Sequence, residues 1–319
     1  METNQPWPQQ VKPNSQQPQS PQPKSEGINP MKKATVIDGK AFEELLSKPQ
    51  PIADENRGMD VLFFGDTNVG KTFSAMTFPE PIFVIDTEKR ADKTKKYHYP
   101  GRDIRIFDPV VIKQDYVDDE DAIDYPSSID NITNFVVALN RKIQAGEIKE
   151  GTLIVDSLTD IWKWVQEWGK ARLAKIGKVN RETMAIKNQF DWGIMNGKNA
   201  RLMTLFKHVT KNGLNFVGTA RETNIPDYVA TKQTQLPTEK IRCQKDVPFD
   251  FGSLLNLRVQ RMKTPTGFTV KYLADVIRLD TLEYNKAPIE NINYNKIKEL
   301  MTKLEEEMKT KGGEKKWEN

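Results

Sequence analysis

Short, continuous apolar runs alternate along this chain with stretches whose apolar residues follow helical spacing. Val61-Leu62-Phe63-Phe64 and Ile82-Phe83-Val84-Ile85 have no polar interruption, the pattern of strands buried on both faces. Thr152-Leu153-Ile154-Val155 and Asn215 to Ala220 read the same way, and Ile104 to Phe107 forms a further strand. Between them, Ile132, Phe135, Val136, Leu139 and Ile143 predict an amphipathic helix over 129–145. Ile161, Trp164, Val165 and Trp168 predict another over 158–176, with Trp162 off the apolar stripe. Tryptophans at this spacing are read as core rather than as base-stacking residues. Lys71 to Phe78 suits a short helix stopped by Pro79.

Later in the chain, Phe249 to Arg261 and Gly267 to Leu273 predict a hairpin around Thr264-Pro265-Thr266-Gly267. Ile297, Leu300, Leu304 and Met308 then predict a C-terminal helix over 293–309. Strands alternating with helices predict an α/β fold with a mostly parallel central sheet flanked by helices, plus the late β-hairpin. At the other end, residues 1–33 are rich in Gln, Pro, Ser and Asn, too poor in aliphatic side chains to offset the entropy of ordering, and read as a disordered tail. Trp7 within it is either a docking residue or an incidental exposed one. A strand and helix extension over 34–57, including Lys40 to Leu46, precedes the core at 58–280, and residues 281–319 hold the last helix and a charged tail.

Composition narrows the chemistry. No apolar run approaches the roughly 18 residues of a membrane span, and the N-terminus has no signal-peptide core, which predicts a cytoplasmic protein without a membrane partner. A single cysteine, Cys243, excludes an intramolecular disulfide and a cysteine-cluster metal site. His98 and His208, the two histidines, make imidazole catalysis a poor reading. The net charge of +4 is small, so a nucleic-acid surface would need a local concentration of Lys and Arg. Two stretches provide one. The first holds Lys175, Lys178, Arg181, Lys187, Lys198, Arg201, Lys207 and Lys211 with Phe190 and Trp192; it reads as a groove tracking a single strand or as a solvated helix face. The second, 224–247, holds Lys232, Lys240, Arg242 and Lys245 and is long for a simple connection. Asp115 to Asp124 is read as a solvated acidic loop.

The candidate chemistry starts at Gly65-Asp66-Thr67-Asn68-Val69-Gly70-Lys71-Thr72, between the first strand and the short helix. Glycines at this spacing let backbone N–H groups approach phosphate oxygens, Lys71 is placed for the β and γ phosphates, and the Thr72 hydroxyl for Mg²⁺. Downstream, the apolar strand ending in Asp156-Ser157 has the Walker B arrangement, whose carboxylate holds Mg²⁺ through its water shell. Asp86-Thr87-Glu88 ends a second strand at the edge where ligands bind in open α/β sheets. Thr219 and Arg221, at the end of a third, are placed to sense a γ-phosphate. Without an Asn-Lys-x-Asp guanine-reading motif, the nucleotide is read as ATP.

This order of motifs resembles the RecA-like P-loop ATPase core. With Pro79-Glu80-Pro81, Ile85-Asp86-Thr87-Glu88, Leu153 to Thr159, Asp191-Trp192-Gly193, Gly218 to Arg221 and Val247 to Phe251, it looks like the phage-encoded ATPases of the single-strand-annealing recombination group over about 58–280. The resemblance implies that Glu88 polarises the attacking water. Ser157 stands where many hexameric motors carry Glu, which favours Glu88 as the base. A ring or filament is expected, in which a neighbour's cation completes the site; the basic residues of the late hairpin, Arg258, Arg261 and Lys263, with Arg261 foremost, are read as that cation or as exposed strand charges. The implied protein is a Mg²⁺-dependent ATPase acting on single-stranded DNA in recombination, annealing or replication, with a single-strand-binding protein as a further partner. A helicase or packaging motor, and a nucleotide-switched assembly protein that ignores DNA, are the competing readings.

Overall fold

The strands are β1 (Asp60–Gly65), β2 (Ile82–Asp86), β3 (Ile104–Phe107), β4 (Thr152–Asp156), β5 (Asn215–Glu222), β6 (Ile241–Arg242), β7 (Ser253–Thr264), β8 (Gly267–Leu279), β9 (Leu282–Glu283) and β10 (Ile289–Glu290). The computed structural model describes residues 57–113, 122–180, 185–223, 241–265, 267–280, 282–284 and 286–312. All belong to one unit, Asp54–Asn319. The Gln/Pro-rich tail, the 34–47 element, most of the acidic loop, Arg181, Lys232, Lys240 and the charged C-terminal tail lie outside the described residues.

One sheet runs in the order β10-β8-β7-β1-β5-β4-β2-β3. The six strands from β7 to β3 are mutually parallel, and β8 and β10 extend the sheet antiparallel beyond β7. Three helices, α3 (Tyr125–Gln144), α4 (Leu158–Lys175) and α5 (Trp192–Lys207), have apolar residues in the same cluster as Leu62, Phe64, Phe83, Ile85, Leu153, Val155 and Phe216. The alternate strand residues Val61, Phe63, Ile82, Val84, Ile154 and Val217 join a second cluster with residues of α1 (Lys71–Ala75), α2 (Ala91–His98) and α6 (Tyr294–Gly312). Every residue of β1, β2 and β4 is therefore buried, which is why those strands carry apolar side chains without alternation. Among the described residues, no helix is long and apolar enough to cross a membrane.

Local chemistry sets the helix starts beside the site. The Ser157 side chain accepts from the Asp160 N–H to open α4, and Asp124 accepts from Ser127 N–H to open α3. α1 is only five residues long, is entered through Gly70 in a left-handed conformation, and has no side-chain cap. Trp164 is buried in the core and Trp162 and Trp168 pack against it, Trp162 also meeting Trp192 at a centroid distance of 6.5 Å.

Two boundaries of the hairpin differ from the sequence expectation. The hairpin does not begin at Phe249: Val247–Asp250 is a 3₁₀ turn, since Pro248 has no N–H for a ladder, and the Arg278 guanidinium binds the Pro248 and Phe251 carbonyls at 2.6 and 2.5 Å. The second arm continues past Leu273 to Leu279. The basic segment is helical where Met195, Asn199, Leu202, Met203 and Phe206 bury one face as α5.

Close packing at β5 yields a testable consequence. A Cβ added at Gly218 would lie 2.6 Å from Leu158 Cδ1 and 2.8 Å from Phe251 Cζ. Gly218→Ala is expected to lose about 1–3 kcal/mol of stability through overpacking. Urea denaturation of parent and variant measures this, and an unchanged midpoint would show that the core yields there.

Candidate active site

The carboxyl ends of β1, β2, β4 and β5 meet at one edge of the sheet, where β2 and β4 place Asp86 and Asp156 directly across from each other. A cavity of about 550 Å³ opens there, lined by Thr67 to Ser74, Glu88, Arg90, Thr94, His98, Asp156, Arg221, Leu257, Tyr272, Leu273, Asn291 and Ile292. Gly65 turns the chain out of β1 at φ 145°, and a Cβ there would sit 2.1 Å from the Leu257 carbonyl oxygen. Gly70 enters α1 at φ 93°. Side chains at either position would strain the loop or fill its approach.

Lys71 is buried and donates to the carbonyls of Gly65 at 3.0 Å and Asp66 at 2.7 Å. Burial lowers its pKa, while the Glu88 and Asp156 charges act in the opposite sense. Asp156 Oδ2 accepts from the Thr72 hydroxyl at 2.7 Å, and Oδ1 accepts from Thr219. Burial pushes this carboxyl up to about 6, against the pull of the two hydroxyls. An all-oxygen pair, hydroxyl and carboxylate, beside a lysine suits a hard divalent cation accompanying a phosphate. Glycines at strained positions and these donors fit a triphosphate with Mg²⁺, which Thr72 and Asp156 would hold. Asp86 accepts at 2.9 Å from the N–H of Ala91, the first residue of α2.

Glu88 is mostly buried, its side chain 13% exposed, and pairs with Arg221 at 3.0 Å. The same guanidinium reaches Asp160 at 3.4 Å. Burial would lower the Arg221 pKa, but the Asp160 and Glu88 carboxylates more than reverse this and raise it. Thr87 ties the strand ends together: its N–H donates to the Asp156 carbonyl at 2.7 Å and its hydroxyl accepts from Ser157 N–H at 2.8 Å. The Arg221 N–H donates to the Thr159 hydroxyl at 2.9 Å. Every one of Gly65 to Thr72, Glu88, Asp156, Thr219 and Arg221 thus sits at this edge.

Arg261 does not line the cavity; it is exposed on the outer half of β7. Arg258 is committed to Asp275, with nitrogen–oxygen distances of 2.6 and 3.3 Å. In the basic segment, Lys178 pairs with Asp191 at 2.7 Å and Lys207 donates to the Asp250 carbonyl, whereas Lys175, Arg201 and Lys211 are exposed. Burial pushes the Cys243 thiol up to about 12. Asp160, Arg90 and Tyr272 are site residues that motif reading passed over. Only Asp160 carried a signal, its position three residues after a Ser that caps α4.

Residues 57–281 match a family model described as an AAA domain. The chain belongs to the AAA domain family. No curated protein matches it. The AAA domain binds and hydrolyses nucleotide, and the match covers β1 through β8 with both carboxylate-bearing strands.

Proposed function

We propose that this AAA domain protein is a Mg²⁺-dependent ATPase that works on single-stranded DNA in phage-type recombination, annealing or replication. The observation that carries the ATPase part is the convergence of Lys71, Thr72, Asp156 and Glu88 on one cavity. Lys71 would leave the Gly65 and Asp66 carbonyls for phosphate oxygens, an exchange of one set of acceptors for another. Mg²⁺ supplies charge neutralisation on the phosphate oxygens when bound. Glu88 would orient and deprotonate the attacking water, with Arg221 holding its carboxylate in place. Thr219 orients Asp156 from the neighbouring strand.

Support for a DNA strand comes from exposed aromatic and basic side chains beyond the nucleotide cavity. Phe190 is 80% exposed near Lys175 and Lys187 in sequence, a composition suited to a strand's bases and phosphates. Homo-oligomers, rings or filaments, and a single-strand-binding protein are the partners that go with this reading.

ATP turnover with and without added single-stranded DNA tests it, with Lys71→Ala as the inactive control. Turnover is expected to rise on adding strand and to vanish in the control. Turnover indifferent to strand, with no salt-sensitive DNA binding, would replace this reading with a nucleotide-switched assembly protein. Directional unwinding would replace it with a motor.

A further inference from the structure

The two faces of the β7–β8 hairpin differ in charge. Directly paired residues share a face, so Val259 with Tyr272, Arg261 with Val270 and Lys263 with Phe268 form one surface. Phe268 is 72% exposed, and Val270 and Tyr272 are each 45% exposed. Arg261 and Lys263 enter no ion pair or side-chain hydrogen bond among the described residues. On the other face, Arg258 is neutralised by Asp275 and Lys271 by Glu290 at 3.0 Å. The hairpin therefore keeps its free cations on the face that also exposes its aromatics.

We propose that this face, Arg261 and Lys263 with Phe268 and Tyr272, is a binding surface for single-stranded DNA, an inference that rests on the strand-binding reading above. Free cations beside exposed rings match a polyanion whose bases are open to stacking, and a duplex offers no such base faces. Phe268 and Tyr272 are four residues apart on one strand, roughly 14 Å at strand rise, enough for rings to meet separate bases. Tyr272 also lines the nucleotide cavity, and a Cβ on Gly70 of the phosphate loop would come within 3.7 Å of its ring. A bound strand therefore touches a wall of the nucleotide site, and nucleotide and strand affinities are coupled reciprocally. This assigns Arg261 and Lys263 to a strand's phosphates rather than to a neighbouring subunit's nucleotide.

Fluorescence anisotropy of a labelled oligothymidylate, with the full chain free of nucleotide, is the test. Phe268→Ala is expected to weaken strand binding roughly ten- to hundredfold while leaving binding of an equally long duplex unchanged. Phe268→Tyr should restore binding, and Phe268→Leu should not. The double variant Arg261→Gln with Lys263→Gln should flatten the dependence of log affinity on log salt by about 1.4, roughly 0.7 for each lost phosphate contact on a single strand. Phe268 is exposed enough that folding is retained, which an unchanged melting transition checks. If the parent binds strand and Phe268→Ala or Phe268→Leu binds it equally well, the hairpin assignment is overturned and the strand lies elsewhere. If Phe268→Ala changes sedimentation but not strand affinity, the face is a contact between copies and the assignment is again overturned. A parent that binds no strand removes the broader reading as well.

Discussion

Glu88→Gln is expected to slow ATP turnover by about 10²- to 10⁴-fold while nucleotide affinity stays near that of the parent. The substitution keeps the shape of the side chain and an oxygen that can still accept from Arg221, whose guanidinium lies 3.0 Å away. What it removes is the carboxylate that takes a proton from water. Lys71, Thr72 and Asp156, which meet the phosphates and cation, are left intact. A surface carboxylate serving only to pair with Arg221 would behave differently. Its exchange for an amide would weaken a partly exposed ion pair, worth at most about 1 kcal/mol, and turnover would fall by less than tenfold. Single-turnover hydrolysis alongside a nucleotide titration separates the cases. A variant that hydrolyses within tenfold of the parent would return the base to another residue.

Much of this fold was legible because β1, β2 and β4 are buried on both faces and so read as unbroken apolar runs. The strand order was not. Nothing local to Val61 to Phe64 or Leu153 to Val155 says that β5 lies between β1 and β4, because order in a parallel sheet is set by crossovers rather than by the strands themselves. Helix α5 was obscured for a different reason: Lys198, Arg201 and Lys207 dominate the segment, while its buried face relies on Met195 and Asn199 as much as on Leu202 and Phe206. At the site, the phosphate loop and the Asp156 strand end carry short-range patterns. The Glu88–Arg221 pair joins positions 133 residues apart, and Asp160 is drawn in by that guanidinium and by the Thr87 and Ser157 hydroxyls. The hairpin shows the same limit. Its basic residues were visible, but their division into a neutralised face and a free one depends on register and on Asp275 and Glu290.

Lys71→Ala is expected to lower turnover by at least about 10²–10³-fold, the effect of removing one positioned donor from a developing oxyanion. It should also abolish stabilisation by nucleotide. In the free protein the lysine is buried and its pKa is lowered by that burial, so the native state carries the cost of desolvating a cation. Its bonds to the Gly65 and Asp66 carbonyls offset part of that cost. Removing it therefore costs little in the unliganded state. With nucleotide at a hundredfold excess over its dissociation constant, the parent gains about 2.7 kcal/mol by mass action, and the variant loses that gain. Thermal melting with and without nucleotide tests this directly: parent and Lys71→Ala should melt close together when free and apart when nucleotide is added. If the variant melts lower by the same margin in both conditions, Lys71 is a structural tie for the Gly65–Asp66 turn and the phosphate role assigned to it is wrong.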